Sequence, residues 1–116
     1  MLKKNKIIET FNDGVLVVCE KKARAITKTI HPSIRFSKKT IGVTRHYQAK
    51  IASEKIDKLL AIPKYYLVEK DNIIHIDGNW FEIKHIQEKN ETIPPIVLLS
   101  LSYDGVGYRD ERVKDT

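Results

Sequence analysis

Two alternating apolar runs meet at Asp77-Gly78: Asn72-Ile-Ile-His-Ile76 before the pair, and Asn79-Trp-Phe-Glu-Ile-Lys84 after it. Asp-Gly in that setting predicts a two-residue hairpin turn, because both central residues of such a turn take positive φ. Side chains alternate along a strand, so Ile76 then stands opposite Asn79 and Ile74 opposite Phe81. Ile74, Ile76, Phe81 and Ile83 share one face, and His75, Trp80, Glu82 and Lys84 share the other. Pro94-Pro-Ile-Val-Leu-Leu-Ser-Leu-Ser-Tyr103 follows a polar, proline-bearing turn and reads as a third strand, which makes the back half a meander.

The front half carries the same kind of signal. Asn12-Asp13-Gly14 marks a turn, and Val15-Leu-Val-Val-Cys19 reads as a first strand interrupted by Lys21-Lys22. Arg24-Ala-Ile-Thr-Lys-Thr-Ile30 alternates and is rich in β-branched residues, so it predicts a second strand able to pair with the first. His31-Pro32 is expected to close it, since the residue before proline is pushed out of the helical region. Ser33–Thr40 fits a short strand or an exposed loop. From Ile41 the periods of strand and helix overlap. The reading is a short helix or irregular segment near residues 45–53, then a strand through Lys55–Ile62 ended by Pro63. Lys64–Asp71 connects that strand to the hairpin. After Tyr103 the chain turns polar and charged, with two glycines, and is expected to be a flexible charged tail over residues 104–116, either frayed or ordering on a neighbouring subunit.

The predicted fold is therefore mainly β, a small antiparallel β-barrel or sandwich, with one β-rich domain over residues 1–103. A length of 116 residues suits one modest core, and 41% hydrophobic with 31% charged residues lies in the globular range. No run approaches the roughly 18 apolar residues of a membrane span. Ile7-Ile8 is followed at once by Glu9 and Asp13, so no secretory core is seen and a cytoplasmic origin is expected.

Charge changes the picture more than composition does. Residues 1–50 hold twelve Lys/Arg against three acidic residues, a net +9, whereas residues 51–116 net −3. A basic half suits nucleic-acid phosphates, an acidic protein neighbour or plain solvation. Lys21, Lys22, Arg24, Lys38, Lys39 and Arg45 are the candidate DNA- or subunit-facing residues.

Candidate chemistry is sparse. Cys19 is the single cysteine, which excludes an internal disulfide and suits a buried strand position better than a nucleophile. His31, His46, His75 and His85 lack metal-ligand spacing, so no metal is expected. Nothing in the sequence pairs Asp57 with Asp77 or Glu82 for acid–base work. Phosphate-binding glycine loops and the hydrolase nucleophile elbow are absent. Trp80, Phe81, Tyr65 and Tyr66 are a candidate stacking platform for single strands, although ordinary core usage explains them as well. The sequence thus predicts no enzyme and no cofactor.

The order of segments carries one further signal. Phe11-Asn-Asp-Gly-Val-Leu-Val-Val18, Arg45-His-Tyr-Gln-Ala-Lys-Ile-Ala-Ser-Glu-Lys-Ile-Asp-Lys-Leu-Leu-Ala-Ile-Pro63, Ile74-His-Ile-Asp-Gly-Asn-Trp-Phe-Glu-Ile-Lys-His-Ile-Gln87 and Pro94-Pro-Ile-Val-Leu-Leu-Ser-Leu101 together resemble the head-tail joining proteins of tailed phages, also called head closure or head-tail adaptor proteins. The resemblance covers residues 11–103. It implies a non-enzymatic β-barrel-like subunit of a ring, usually dodecameric, which closes the DNA-filled head and docks the tail. The implied partners are portal or adaptor proteins, tail proteins and packaged DNA, with assembly into the virion connector after synthesis in the host cytoplasm. The alternative is a stand-alone nucleic-acid-binding β-barrel domain.

Overall fold

The computed structural model describes residues 7–40, 55–105 and 107–112. These form nine strands: β1 (Ile7–Ile8), β2 (Gly14–Lys22), β3 (Ala25–Lys39), β4 (Lys58–Pro63), β5 (Ile73–Ile76), β6 (Asn79–Lys89), β7 (Thr92–Ile93), β8 (Ile96–Tyr103) and β9 (Arg109–Asp110). The chain is mainly β, as expected. The short helix or irregular segment near residues 45–53 lies outside the described residues.

The Asp77-Gly78 hairpin forms in the predicted register, with Ile76 opposite Asn79, His75 opposite Trp80 and Ile74 opposite Phe81. Asp77 at φ 49° and Gly78 at φ 82° supply the two left-handed residues that a type I′ turn needs. Ile74, Ile76, Phe81 and Ile83 are buried, while His75, Trp80, Glu82 and Lys84 on the other face stay half-buried. β8 pairs antiparallel with β6 and completes the meander, then pairs on its other side with β4.

The remaining pairings lead back to the start. The order runs β2-β5-β6-β8-β4-β3, and β3 also pairs with β2. The β3–β4 contact spans only three register pairs, Ser37↔Ala61 to Lys39↔Leu59. The result is sandwich-like rather than an evenly closed barrel. Its core gathers Leu16, Val18, Ile34, Phe36, Leu60, Ile62, Ile74, Phe81, Leu99 and Leu101 from six strands. Each such side chain contributes about 1.5–3 kcal/mol of hydrophobic free energy.

Two expected boundaries are corrected. His31-Pro32 does not close the second strand, because β3 runs through it to Lys39 and takes in the Ser33–Thr40 stretch. The β2–β3 ladder slips three times, so that Leu16 faces Ile34 but Val18 faces His31 and Cys19 faces Thr29. Pro32 falls at one of these bulges, where the ladder makes no demand on its missing N–H. Lys21 and Lys22 do not interrupt β2 either, which continues to a tight turn at Ala23, φ 53°.

The tail also differs from expectation. Arg109 and Asp110 form β9, parallel to Ala25 and Ile26 of β3. Asp104 and the stretch from Tyr108 to Arg112 thus lie against the body of their own chain. At the other end, β1 runs parallel to β7.

Candidate assembly surface

The basic residues singled out in the sequence do not come together. Lys21, Lys22 and Arg24 sit at the β2–β3 turn, while Lys38 and Lys39 sit at the opposite end of β3. Arg45 lies outside the described residues. Two of the five placed residues are in close ion pairs. Arg24 Nη1 is 2.6 Å from Asp104 Oδ2, and Lys39 Nζ donates to both Glu9 oxygens at 2.9 and 2.8 Å. The Lys38 backbone N–H donates to Asp13 at 2.8 Å. Lys28, with Nζ 3.9 Å from Glu20, uses the third acidic residue of the front half. The three acidic residues of the front half therefore all lie beside β3, and the local field is weaker than the count of charges implies.

The densest chemistry lies on the outer face of the hairpin, where Asp104, Tyr108 and Arg112 gather over it. His75 and Trp80, register partners, stack at 4.4 Å between ring centroids. The Tyr108 ring follows at 6.2 Å from Trp80. Two guanidinium groups cover these rings, Arg112 lying 5.6 Å from the Trp80 centroid and Arg24 5.1 Å from that of Tyr108. Asp104 joins two of the members, accepting from Arg24 and, at 2.7 Å, from the Tyr108 hydroxyl. Asp110 holds Arg112 through Oδ1 at 2.9 Å and Oδ2 at 2.6 Å. Beneath lies a small apolar base of Cys19, Ile26 and Ile73, all fully buried.

Titration follows this packing. Burial, then the Arg112 guanidinium, lowers the His75 pKa, against a smaller upward pull from Asp110. Burial raises that of Cys19, whose Sγ lies 3.6 Å from Arg112 Nη1. Burial, then the bond to Asp104, pushes the Tyr108 phenol well above its ordinary range. These shifts favour neutral imidazole, thiol and phenol, which suits packing and not nucleophilic attack.

Other candidates are dispersed. His31 Nε2–H donates to the Leu67 carbonyl at 2.8 Å, with its ring edge-on to Tyr66. Among the described residues no group of three His, Cys, Asp or Glu stands close enough to hold a metal ion. Asp57 accepts from the Tyr103 N–H, Asp77 lies in the turn and Glu82 is 3.3 Å from Lys84, so the three carboxylates face no common cleft. The four aromatics offered as a platform separate: Phe81 is buried against Tyr103, Trp80 lies under the tail, and Tyr65 and Tyr66 pack on each other. A cleft of about 250 Å³ opens between β1 and the outer face of β4 and β8, with the Glu9–Lys39 pair at its wall. Among the described residues no helix is long and apolar enough to cross a membrane.

Sequence reasoning missed the cluster formed by Asp104, Tyr108, Asp110 and Arg112. Its one visible signal is Tyr108, an aromatic in a segment otherwise too polar to order by itself. No family model, no curated protein and no solved structure matches this chain.

Proposed function

We propose that the chain is a structural subunit of the head-tail connector of a tailed phage or prophage, forming a ring that closes the DNA-filled head and docks the tail. One observation carries the reading beyond the family resemblance: both ends of the described chain are two-residue strands, β1 and β9, laid parallel on the outside of an antiparallel body. Among the described residues no further strand pairs with the outer edge of either. Exposed Ile7, Ile8 and Ile93 flank one such edge. Open edges of this kind take up backbone hydrogen bonds from a neighbour. A ring subunit needs such edges and a stiff sheet, and it needs no reaction chemistry.

The reading as a lone nucleic-acid-binding domain has less support, because its basic residues sit at two ends and Arg24 and Lys39 already hold carboxylates. The test is electron microscopy of the purified chain at high concentration and with portal complexes, alongside titration with short duplex and single-stranded DNA across salt. Rings, with weak DNA binding by the free chain, are expected. A monomer that binds DNA at micromolar concentration or tighter, with a steep salt slope, overturns the proposal.

A further inference from the structure

The ladder between β3 and β4 stops soon after Ser37 and Ala61, and the place where it stops is open. β4 ends at Pro63, which has no N–H to carry a ladder further, and the chain leaves through a turn in which the Tyr66 N–H donates to the Pro63 carbonyl at 3.3 Å. A groove of about 410 Å³ opens there, lined on one side by Val15, Ser33 and Arg35 of β2 and β3 and on the other by Pro63, Tyr65 and Tyr66. Its aromatic side is fixed in place. Tyr66 packs against Tyr65, at 4.6 Å between ring centroids, and against His31, at 5.4 Å, and His31 is bonded in turn to the Leu67 carbonyl. Tyr65 is nonetheless 76% exposed, Leu67 73% and Val15 49%. Apolar surface that is held in position yet left in water is what a pre-formed docking surface presents.

Charge decides what fits. Arg35 is exposed and, unlike Lys28 and Lys39 of the same strand, is in no ion pair among the described residues. Beside it the groove offers the Ser33 hydroxyl, the Asn12 amide and two tyrosines, and none of the described residues lining it is acidic. A free guanidinium among neutral donors and rings is complementary to a carboxylate with an aromatic side chain next to it. Nucleic acid fits less well, because a run of phosphates calls for a succession of cations and the described lining holds one. We propose that this groove docks an extended acidic segment of a partner protein, a carboxylate of which pairs with Arg35 while a neighbouring aromatic side chain packs on Tyr65 and Val15. Tyrosine and arginine are among the residue types that most often dominate the energy of such contacts. The inference goes beyond the reading as a connector subunit and stands whether or not the chain forms a ring.

The test selects peptides from a random display library on the full chain. Peptides with Asp or Glu beside an aromatic residue should be enriched, and their absence from the enriched set overturns the proposal. The most enriched of them, synthesised with a fluorescent label, should bind about tenfold or more weakly to Arg35→Glu and to Tyr65→Ser. Both positions are exposed, so each variant should keep the urea midpoint of the native chain, which is measured alongside. Affinity that survives either substitution overturns the site. Lys22→Glu makes the same change of charge at the other end of the β2–β3 arm and should alter affinity by less than about twofold. A loss as large as that of Arg35→Glu would mean that net charge alone attracts the peptide, which also overturns the site. Oligothymidylate serves as the nucleic-acid probe, and tighter binding of it than of the peptide, lost in Arg35→Glu, assigns the groove to nucleic acid instead. Ring formation is read separately by electron microscopy, and neither result decides the other.

Discussion

The tip of the Phe36 ring meets Gly14, its register partner across β2 and β3, so closely that a Cβ on Gly14 would stand 2.6 Å from Phe36 Cζ. Gly14 also has φ +154°, a backbone conformation that L side chains rarely adopt. Gly14→Ala therefore drives a buried ring out of place and strains the backbone. The expected cost is about 2–4 kcal/mol, seen as a lower urea midpoint with an unchanged slope.

At Gly78 the space is open and only the backbone objects. No atom lies within 4 Å of a Cβ built there, but φ is +82°. Gly78→Ala should cost about 1–2 kcal/mol, the usual price of a left-handed L residue. Asp77→Asn should leave the urea midpoint unchanged within error, because Asn suits the same turn position.

The Glu9–Lys39 pair ties the segment after β1 to the far end of β3, with side-chain exposures of 9% and 27%. Glu9→Gln leaves a partly buried ammonium without its counterion. A loss of about 1–3 kcal/mol is expected, below that of a fully buried pair because solvent still reaches Lys39. Combining Glu9→Gln with Lys39→Met should recover part of the loss, and a double-mutant cycle on thermal unfolding measures how much.

His75 gives the fold a dependence on pH. Its folded pKa lies below the ordinary 6.5, by burial first and by Arg112 second. As pH falls through 6.5 the unfolded chain takes up the proton before the folded one does, so stability drops with pH until the folded imidazole is also protonated. His75→Phe should remove this part of the slope. Urea midpoints of both proteins between about pH 5 and pH 8 test it, and parallel slopes would contradict the assignment.

In alkali the sign reverses at Tyr108. Its folded pKa is raised, so its contribution is complete below 10.0 and is lost as pH climbs above that value. Absorbance titration of the folded protein should therefore show fewer phenolates near pH 11 than its five tyrosines supply. Tyr108→Phe should leave that early-titrating amplitude unchanged and remove only a late one.

What was legible in the sequence was local. Asp77-Gly78 fixes its own register because the turn type is decided by two adjacent residues, and the alternation around it then assigns Ile74 and Phe81 to the core. Pro32 misled because the rule about proline is also local, whereas its tolerance depends on a slip in the ladder with β2. The packing of the stretch from Tyr108 to Arg112 depends on Arg24, Ile26 and Trp80, partners far away along the chain, and its composition alone suggests disorder. Summing charges by halves likewise hides that Lys22 and Lys38 belong to opposite ends of one hairpin arm.

That arm also sets a length. From Ala25 to Lys39 a single strand bridges the two cationic ends, at most about 48 Å at the ordinary rise per residue. That separation is several Debye lengths at physiological salt, so each cationic end is screened from the other and its field is set by its own neighbours alone.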